Sequence, residues 1–464
     1  MGDTVILGAG MTGLTAAYAL QRHGCPVQVL EKSRAVGGAS RTVRWQEFRF
    51  DLGGHRLYSR DPEVLGLVRE LLGDEVLTVQ RISRIYLRRR FVDYPLSFFN
   101  ALGALGPLTS LAVGLSYVCE KANGIFRERS IKTFEDWVVS QFGRKLYEIY
   151  FKGYSEKVWG VPCTELSADF AGQRIKGMSL WEALKGMFRM NGQRPDSLVG
   201  EFLYPRLGFG RIPETMAQAL PSDRVRLSAS VVRVVHDGTR VRAACVKDGS
   251  TERRYDADYV ISTIPVSDLV EMMDPPLPED VREAARGLRY RDMIIMFLAL
   301  DRERVTQDHW IYFPDPDTSF GRIHEPKNWS PAMAPPDKTG LVVEEFCQQH
   351  EPIWDEPDEV LLERAARQLE ELGLIEASEV AGGCVTRLPK AYPLYCNSYR
   401  ESLSTVFGCL RRFDNLQCAG RNGLFRYTSG DRYIEMGLKA ARKVLGLPDS
   451  DVDAVAIEQE YAEQ

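Results

Sequence analysis

A glycine loop set between a short strand and a helix opens the chain and constrains what can follow. Thr4–Leu7 is an apolar run of strand length. Gly8-Ala9-Gly10-Met11-Thr12-Gly13 is the loop, and Leu14–His23 has apolar residues on one helical face. Val27–Leu30 is a second apolar run, ending at Glu31. Gly8 permits a tight turn, Gly10 lets backbone approach a pyrophosphate, and Gly13 allows the helix to close on the strand. The helix start offers free N–H groups and positive dipole to phosphate. Glu31, 18 residues past Gly13, is placed to accept from an adenosine ribose. Met11 and Thr12 in the loop, and Lys32 beside Glu31, complete this end of a dinucleotide site.

Which dinucleotide binds depends on what comes next. Gly37-Gly38-Ala39-Ser40-Arg41 follows closely, and the Arg41 guanidinium suits a pyrophosphate oxygen. Asp51-Leu52-Gly53-Gly54-His55 supplies another glycine pair, where backbone must pass something flat and large. Near the other end, Ala419-Gly420-Arg421-Asn422-Gly423 repeats the pattern of strand, glycine and helix. A nicotinamide site has no need of such a return, whereas FAD stretched across one domain does. Val232, in the β-rich run 225–235, joins the cofactor set.

Composition narrows the partners. With 59 basic and 64 acidic side chains the net charge is −5, which gives no global positive field for nucleic acid. The nine cysteines are scattered without a Cys-x-x-Cys pair. They read as reduced thiols in a cytoplasmic protein without a structural metal, and no signal peptide is expected. Leu96–Cys119 has no charged side chain and follows Arg88-Arg89-Arg90. Pro107 and several small or polar residues divide it, so two short buried helices are expected, with membrane-surface contact the less favoured reading.

Along the chain, 64–200 reads as mainly helical. From 203 the character turns to strands separated by Asp237-Gly238 and Asp248-Gly249 turns, a meander followed by a buried parallel strand at Tyr259–Thr263. Further strands are expected at Met293–Leu300 and Leu341–Phe346, a helix at Glu359–Leu372, and a last helix reaching Leu445. The fold class is α/β. An FAD-binding Rossmann-type domain, glutathione reductase-like, is drawn from 1–62, 203–266 and 385–464. A mostly helical substrate domain with a small mixed sheet comes from 63–202 and 267–384.

The fingerprint, the Gly-Gly-x-x-Arg and the Gly420-Arg421 return together resemble the flavin-containing amine oxidase and protoporphyrinogen oxidase superfamily. Several islands look like its UDP-galactopyranose mutase branch. These are Gly153-Tyr154-Ser155-Glu156-Lys157-Val158-Trp159-Gly160, Gln173-Arg174-Ile175, the run Arg322-Ile323-His324-Glu325-Pro326-Lys327, and Gly420 to Tyr427. The resemblance implies that Trp159 lines the substrate site and that Arg174, Arg322 and Tyr427 bind anionic oxygens, with His55 beside the flavin ring. Phe425 and Val158 depart from that branch, and Tyr204-Pro205-Arg206-Leu207-Gly208-Phe209-Gly210 is closer to its oxidases and desaturases.

From the residues themselves, Lys327 is expected to point into the same cleft as Arg322. In Arg387-Leu388-Pro389-Lys390-Ala391-Tyr392-Pro393 two prolines present Lys390 and Tyr392 as a rigid wall. The catalytic candidates are therefore His55, Arg322, Lys390 and Tyr392. The substrate contacts are Trp159, Arg174, Arg322, Lys327 and Tyr427. The expected activity is an FAD-dependent oxidoreductase acting on a polar, sugar-like molecule, anionic or rich in hydroxyls. The reaction is hydride transfer or redox-neutral chemistry at flavin N5. The alternative is a membrane-surface desaturase or oxidase for a lipid or porphyrin-like substrate.

Overall fold

The computed structural model describes residues 2–87, 89–93, 107–126, 130–175, 200–248 and 251–455. Side chains at 107, 123–126, 172–175 and 248 lie outside that description. Thr4–Leu7 and Val27–Leu30 form strands at their expected bounds and pair in parallel. They lie inside a five-stranded parallel sheet, whose spatial order is Leu416–Cys418, Tyr259–Ser262, Thr4–Leu7, Val27–Leu30, Val225–Arg226. The central strands are apolar without alternation because helices cover both faces of such a sheet.

Helix Met11–Arg22 follows the loop and lies against helix Gly430–Leu445. Gly437 makes the approach possible, since a methyl there would stand 2.6 Å from the Thr12 carbonyl oxygen and from Thr15 Cβ. Gly13 has the same role toward the sheet: its methyl would fall 2.1 Å from the Gly8 carbonyl oxygen.

The meander is present as Ser230–His236, Val241–Asp248 and Thr251–Asp256, with Met273–Asp274 added parallel to the first. Asp237 holds its first turn by accepting from the Thr239 and Arg240 N–H groups. The Asp248-Gly249 turn extends beyond the described residues.

A seven-stranded mixed sheet forms the second layer. Its order is Val380–Pro393, Tyr290–Leu300, Thr339–Cys347, Arg322–His324, Trp310–Tyr312, Ser83–Leu87, Arg90–Asp93. Every residue of Tyr290–Leu300 is buried. Its even members Ile294, Met296 and Leu298 pack with Leu361 and Ala365 of helix Asp358–Glu371. Its odd members Met293, Ile295 and Phe297 pack with Phe48, Phe50 and Leu52, as a two-residue period requires. Phe50 stacks flat on Phe297 at 4.6 Å. The strand from Val380 carries 385–393 into this sheet rather than beside the parallel one.

Within the helical region, helix Phe134–Phe142 ends at Gly143, which takes φ +81° beside the Tyr117 backbone, and a helical turn at Arg144–Leu146 and a wider one at Tyr147–Lys152 lead into helix Gly153–Trp159. Pro107 stands at the first position of helix Pro107–Phe126, where a missing N–H is harmless, and this helix is not buried as expected, since Leu108, Leu111, Leu115 and Val118 are exposed. Residues 96–106 lie outside the described residues.

Candidate active site

At the first loop the chain forms a cradle. Gly8 takes φ +99°, and helix Met11–Arg22 begins at Gly10 with no side chain capping its first turn. Among the described residues nothing lies within 4 Å of where a Cβ of Gly10 would be. The Gly37 N–H donates to the Ala9 carbonyl, which brings the second glycine pair alongside. Arg41 is half-buried and makes no side-chain hydrogen bond or ion pair among the described residues; burial lowers its pKa, partly offset by Glu31. Glu31 is buried and ties the cradle together. One carboxylate oxygen accepts the Ala9 N–H and the other the Ser33 N–H, both at 2.8 Å, and each keeps a second lone pair.

Met11 and Thr12 are buried in the loop, and Lys32 is exposed. Gly420 returns to the same place, since a methyl on it would meet Thr12 Oγ1 at 3.1 Å. Val232 is 41% exposed on the four-stranded sheet. The segment before it touches the cofactor edge, where the Ala229 N–H donates to the Glu31 carbonyl.

At the opposite end lie three buried polar atoms that have no hydrogen-bond partner among the described residues: His55 Nδ1, Arg421 Nε and Asn422 Oδ1. Arg421 donates to the Ala391 and Thr428 carbonyls and sits over the rings of Tyr392, Tyr427 and Tyr433 at 4.8, 5.6 and 5.2 Å. His55 stacks on Phe209 at 5.4 Å. Burial, reinforced by Arg421 and Arg322, pushes its pKa down to about 3, so the ring is neutral at physiological pH.

An uncapped helix start, an unpaired arginine and orphaned polar atoms at the opposite end are what a long dinucleotide requires. The residues present therefore fit FAD.

Arg322 closes the flavin end. It faces Glu344 in register on the neighbouring strand, and Tyr312 stands in register on its other side. Burial alone would raise the Glu344 carboxyl. Arg322, helped by His324 at 3.2 Å, outweighs this and holds it near 2. Arg322 in turn lies against Gly54, where a Cβ would stand 3.7 Å from its Cζ. The aromatic wall consists of Trp159, Tyr392 and Tyr427. Trp159 is 6.0 and 6.2 Å from the two tyrosines, which stack at 5.6 Å on each other. The Tyr427 N–H donates to the Tyr395 hydroxyl, and Phe170 backs Trp159 at 4.4 Å.

His55, Arg322, Tyr392, Tyr427, Trp159 and Arg421 thus come together, but two expected members do not. Lys327 is buried in a short turn, and its Nζ donates to the carbonyls of Glu303, Pro336 and Lys338. Glu325 beside it accepts from Val305, Thr306 and Thr339, so both side chains serve loop closure. Lys390 adopts φ +52° and turns its Nζ to Asp268 and Ser267, in a separate cleft of about 400 Å³. Arg174 belongs to helix Ala168–Ile175, and its side chain lies outside the described residues. Sequence reading passed over Glu344, Tyr312, Phe209 and Asp51. Asp51 is buried and accepts from Thr42, Tyr204 and the Phe209 N–H. Its signal was available in the run Asp51-Leu52-Gly53-Gly54-His55, where it precedes the glycine pair.

A family model described as flavin containing amine oxidoreductase matches residues 11–445. An L-amino-acid oxidase of Notechis scutatus scutatus is 29% identical over 320 residues, covering 64% of this chain and 58% of that protein. The flavin-containing amine oxidase B of Sus scrofa is 27% identical over 298 residues, covering 60% and 53%. The chain therefore spans less than two thirds of the length of these curated relatives. Among solved structures, reduced UDP-galactopyranose mutase superposes with a TM-score of 0.85 at 23% identity, covering 100% of this chain and 99% of that one. Cyclohexylamine oxidase from Brevibacterium oxydans IH-35A gives 0.65 at 15%, covering 96% and 99%. At these identities the structural likeness shows the fold.

Proposed function

We propose, from the premise that this chain belongs to the flavin-containing amine oxidoreductase family, that it is an FAD-dependent oxidoreductase acting on a polar, sugar-like molecule, either nucleotide-linked or an amino sugar. The observation that carries the reading is the make-up of the flavin end. Two arginines, Arg322 and Arg421, and two tyrosines, Tyr392 and Tyr427, converge on one buried place. A lipid site has no use for that density of donors.

Bound FAD supplies a hydride acceptor when oxidised and a nucleophilic N5 when reduced. The chain's own groups set what reaches it. Trp159 and Phe170 exclude water from one side. His55, held neutral, offers a hydrogen-bonding nitrogen without adding a third positive charge beside the two arginines. Arg322 is held in one orientation by Glu344, so it presents a fixed edge to an anionic or hydroxyl oxygen. Burial raises the Tyr392 hydroxyl above its ordinary value, so it stays protonated and able to donate.

A second reading, oxidation of an amine, is favoured by the stacked tyrosine pair and by the curated relatives, which are named for L-amino acids and amines. The two separate in one experiment. The flavin-loaded protein is given nucleotide sugars, amino sugars, L-amino acids and simple amines, each with and without dithionite. Peroxide from oxidised protein with an amino sugar, or conversion of a nucleotide sugar only after reduction, supports the sugar reading. Turnover confined to L-amino acids or simple amines overturns it.

A further inference from the structure

Helix Pro107–Phe126 is built inside out. Among the described residues, the four most exposed large apolar side chains all lie on it: Leu108 at 84%, Leu111 at 63%, Leu115 at 59% and Val118 at 63%. At 100° per residue these four fall within an arc of about 80°. The opposite face holds Val113, buried in the main core, and the half-buried Thr109, Ser110, Ser116, Tyr117 and Glu120. Ser116 accepts from the Lys145 N–H, and Tyr117 packs on Gly143, so the helix is seated on the protein by its polar side. A water-soluble surface arranges an amphipathic helix the other way round.

We infer that this outward stripe docks on the surface of an anionic lipid bilayer, with the helix lying in the interface plane. Charge points to that occupant. Leu96–Cys119 has no ionised side chain, yet it is bordered by arginine: Arg89 and Arg90 are exposed at the turn before Phe91, itself 40% exposed. On the far side Ile131 is 44% exposed beside exposed Lys132. An apolar stripe with exposed cations on both sides of it along the chain suits lipid tails bordered by anionic headgroups. No described helix is long and apolar enough to cross a membrane, so the contact is peripheral.

The test is sedimentation of the flavin-loaded full chain with vesicles of phosphatidylcholine alone, and of equal parts phosphatidylcholine and phosphatidylglycerol. The native protein is expected to partition onto the anionic vesicles and to be weakened by salt. Leu111→Gln with Leu115→Gln is expected to lower partition at least about tenfold, with the flavin spectrum and melting temperature unchanged. Leu108→Gln alone, at the most exposed site, gives a smaller loss in the same direction and serves if the double variant folds poorly. Absence of native partition overturns the inference, and so does partition indifferent to all three leucines. A concentration-dependent dimer seen by light scattering without vesicles, and dissolved by the same variants, also overturns it and assigns the stripe to a second copy.

Discussion

Arg322 and Glu344 occupy opposed positions on adjacent antiparallel strands and are joined by two parallel hydrogen bonds of 2.9 and 2.5 Å. Glu344 is fully buried, and the Arg322 side chain is only 16% exposed. Removing either partner leaves the other charge stranded in low dielectric. Glu344→Ala is therefore expected to destabilise the protein by about 3–5 kcal/mol, read as a lowered midpoint in urea. Glu344→Gln, which keeps the shape, should retain more stability and still weaken substrate binding, because Arg322 loses its fixed orientation.

The same pair sets an acid limb. The Glu344 carboxyl is depressed from 4.5 to about 2. Its stabilisation is complete above the unfolded value and is lost as pH falls from about 4.5 through 2. Between those values native protein should lose stability faster than Glu344→Gln, measured by chemical denaturation at a series of pH values.

Asp51 runs in the opposite sense. Burial, more than its three hydrogen bonds can offset, raises its carboxyl from 3.8 to about 6. The folded state therefore binds this proton more tightly than the unfolded chain. That contribution is present below about 3.8 and lost as pH rises through 6. Asp51→Asn should flatten the fall in stability between those values by about 3 kcal/mol. An unchanged slope would show that the carboxyl titrates normally.

Gly437→Ala places a methyl 2.6 Å from the Thr12 carbonyl, which is backbone and cannot swing aside. The two helices must part, at about 1–3 kcal/mol. Because Thr12 belongs to the loop of the cofactor cradle, FAD should be lost on gel filtration under conditions where native protein keeps it. Retention of full flavin absorbance would separate this helix contact from cofactor binding.

Arg41→Ala removes the half-buried cation beside the loop. FAD affinity should fall about 10–100-fold, the value of a charge-assisted hydrogen bond to phosphate, with little change in the melting temperature of the flavin-free protein. Titration followed by flavin fluorescence measures it.

What could be read from the residues was local. The loop with its two flanking strands follows from glycine spacing and apolar runs, and the meander from its Asp-Gly turn at Asp237. His55, Arg322 and Tyr427 were singled out through the resemblance of separated islands, and Tyr392 through the prolines on either side of it. Glu344 was not, because its role comes from cross-strand register with a residue 22 positions away. Lys327 and Lys390 misled for a related reason. Alternation on an extended strand predicts a direction, but Lys327 sits in a short turn after Pro326 and Lys390 adopts positive φ. In both cases backbone geometry, which composition does not reveal, decides where the ammonium goes.

The parallel sheet also sets an order of events. Thr4–Leu7 is made well before one of its two neighbours, Tyr259–Ser262, which emerges only after residues 64–200, and Leu416–Cys418 comes later still. Until then a mostly apolar strand has a bare edge, the kind of surface that pairs with other chains. Loop closure over such distances makes assembly slow. Flavin can find its complete cradle only once the glycine turn at Gly420 has arrived, so cofactor capture marks the end of folding and not its beginning.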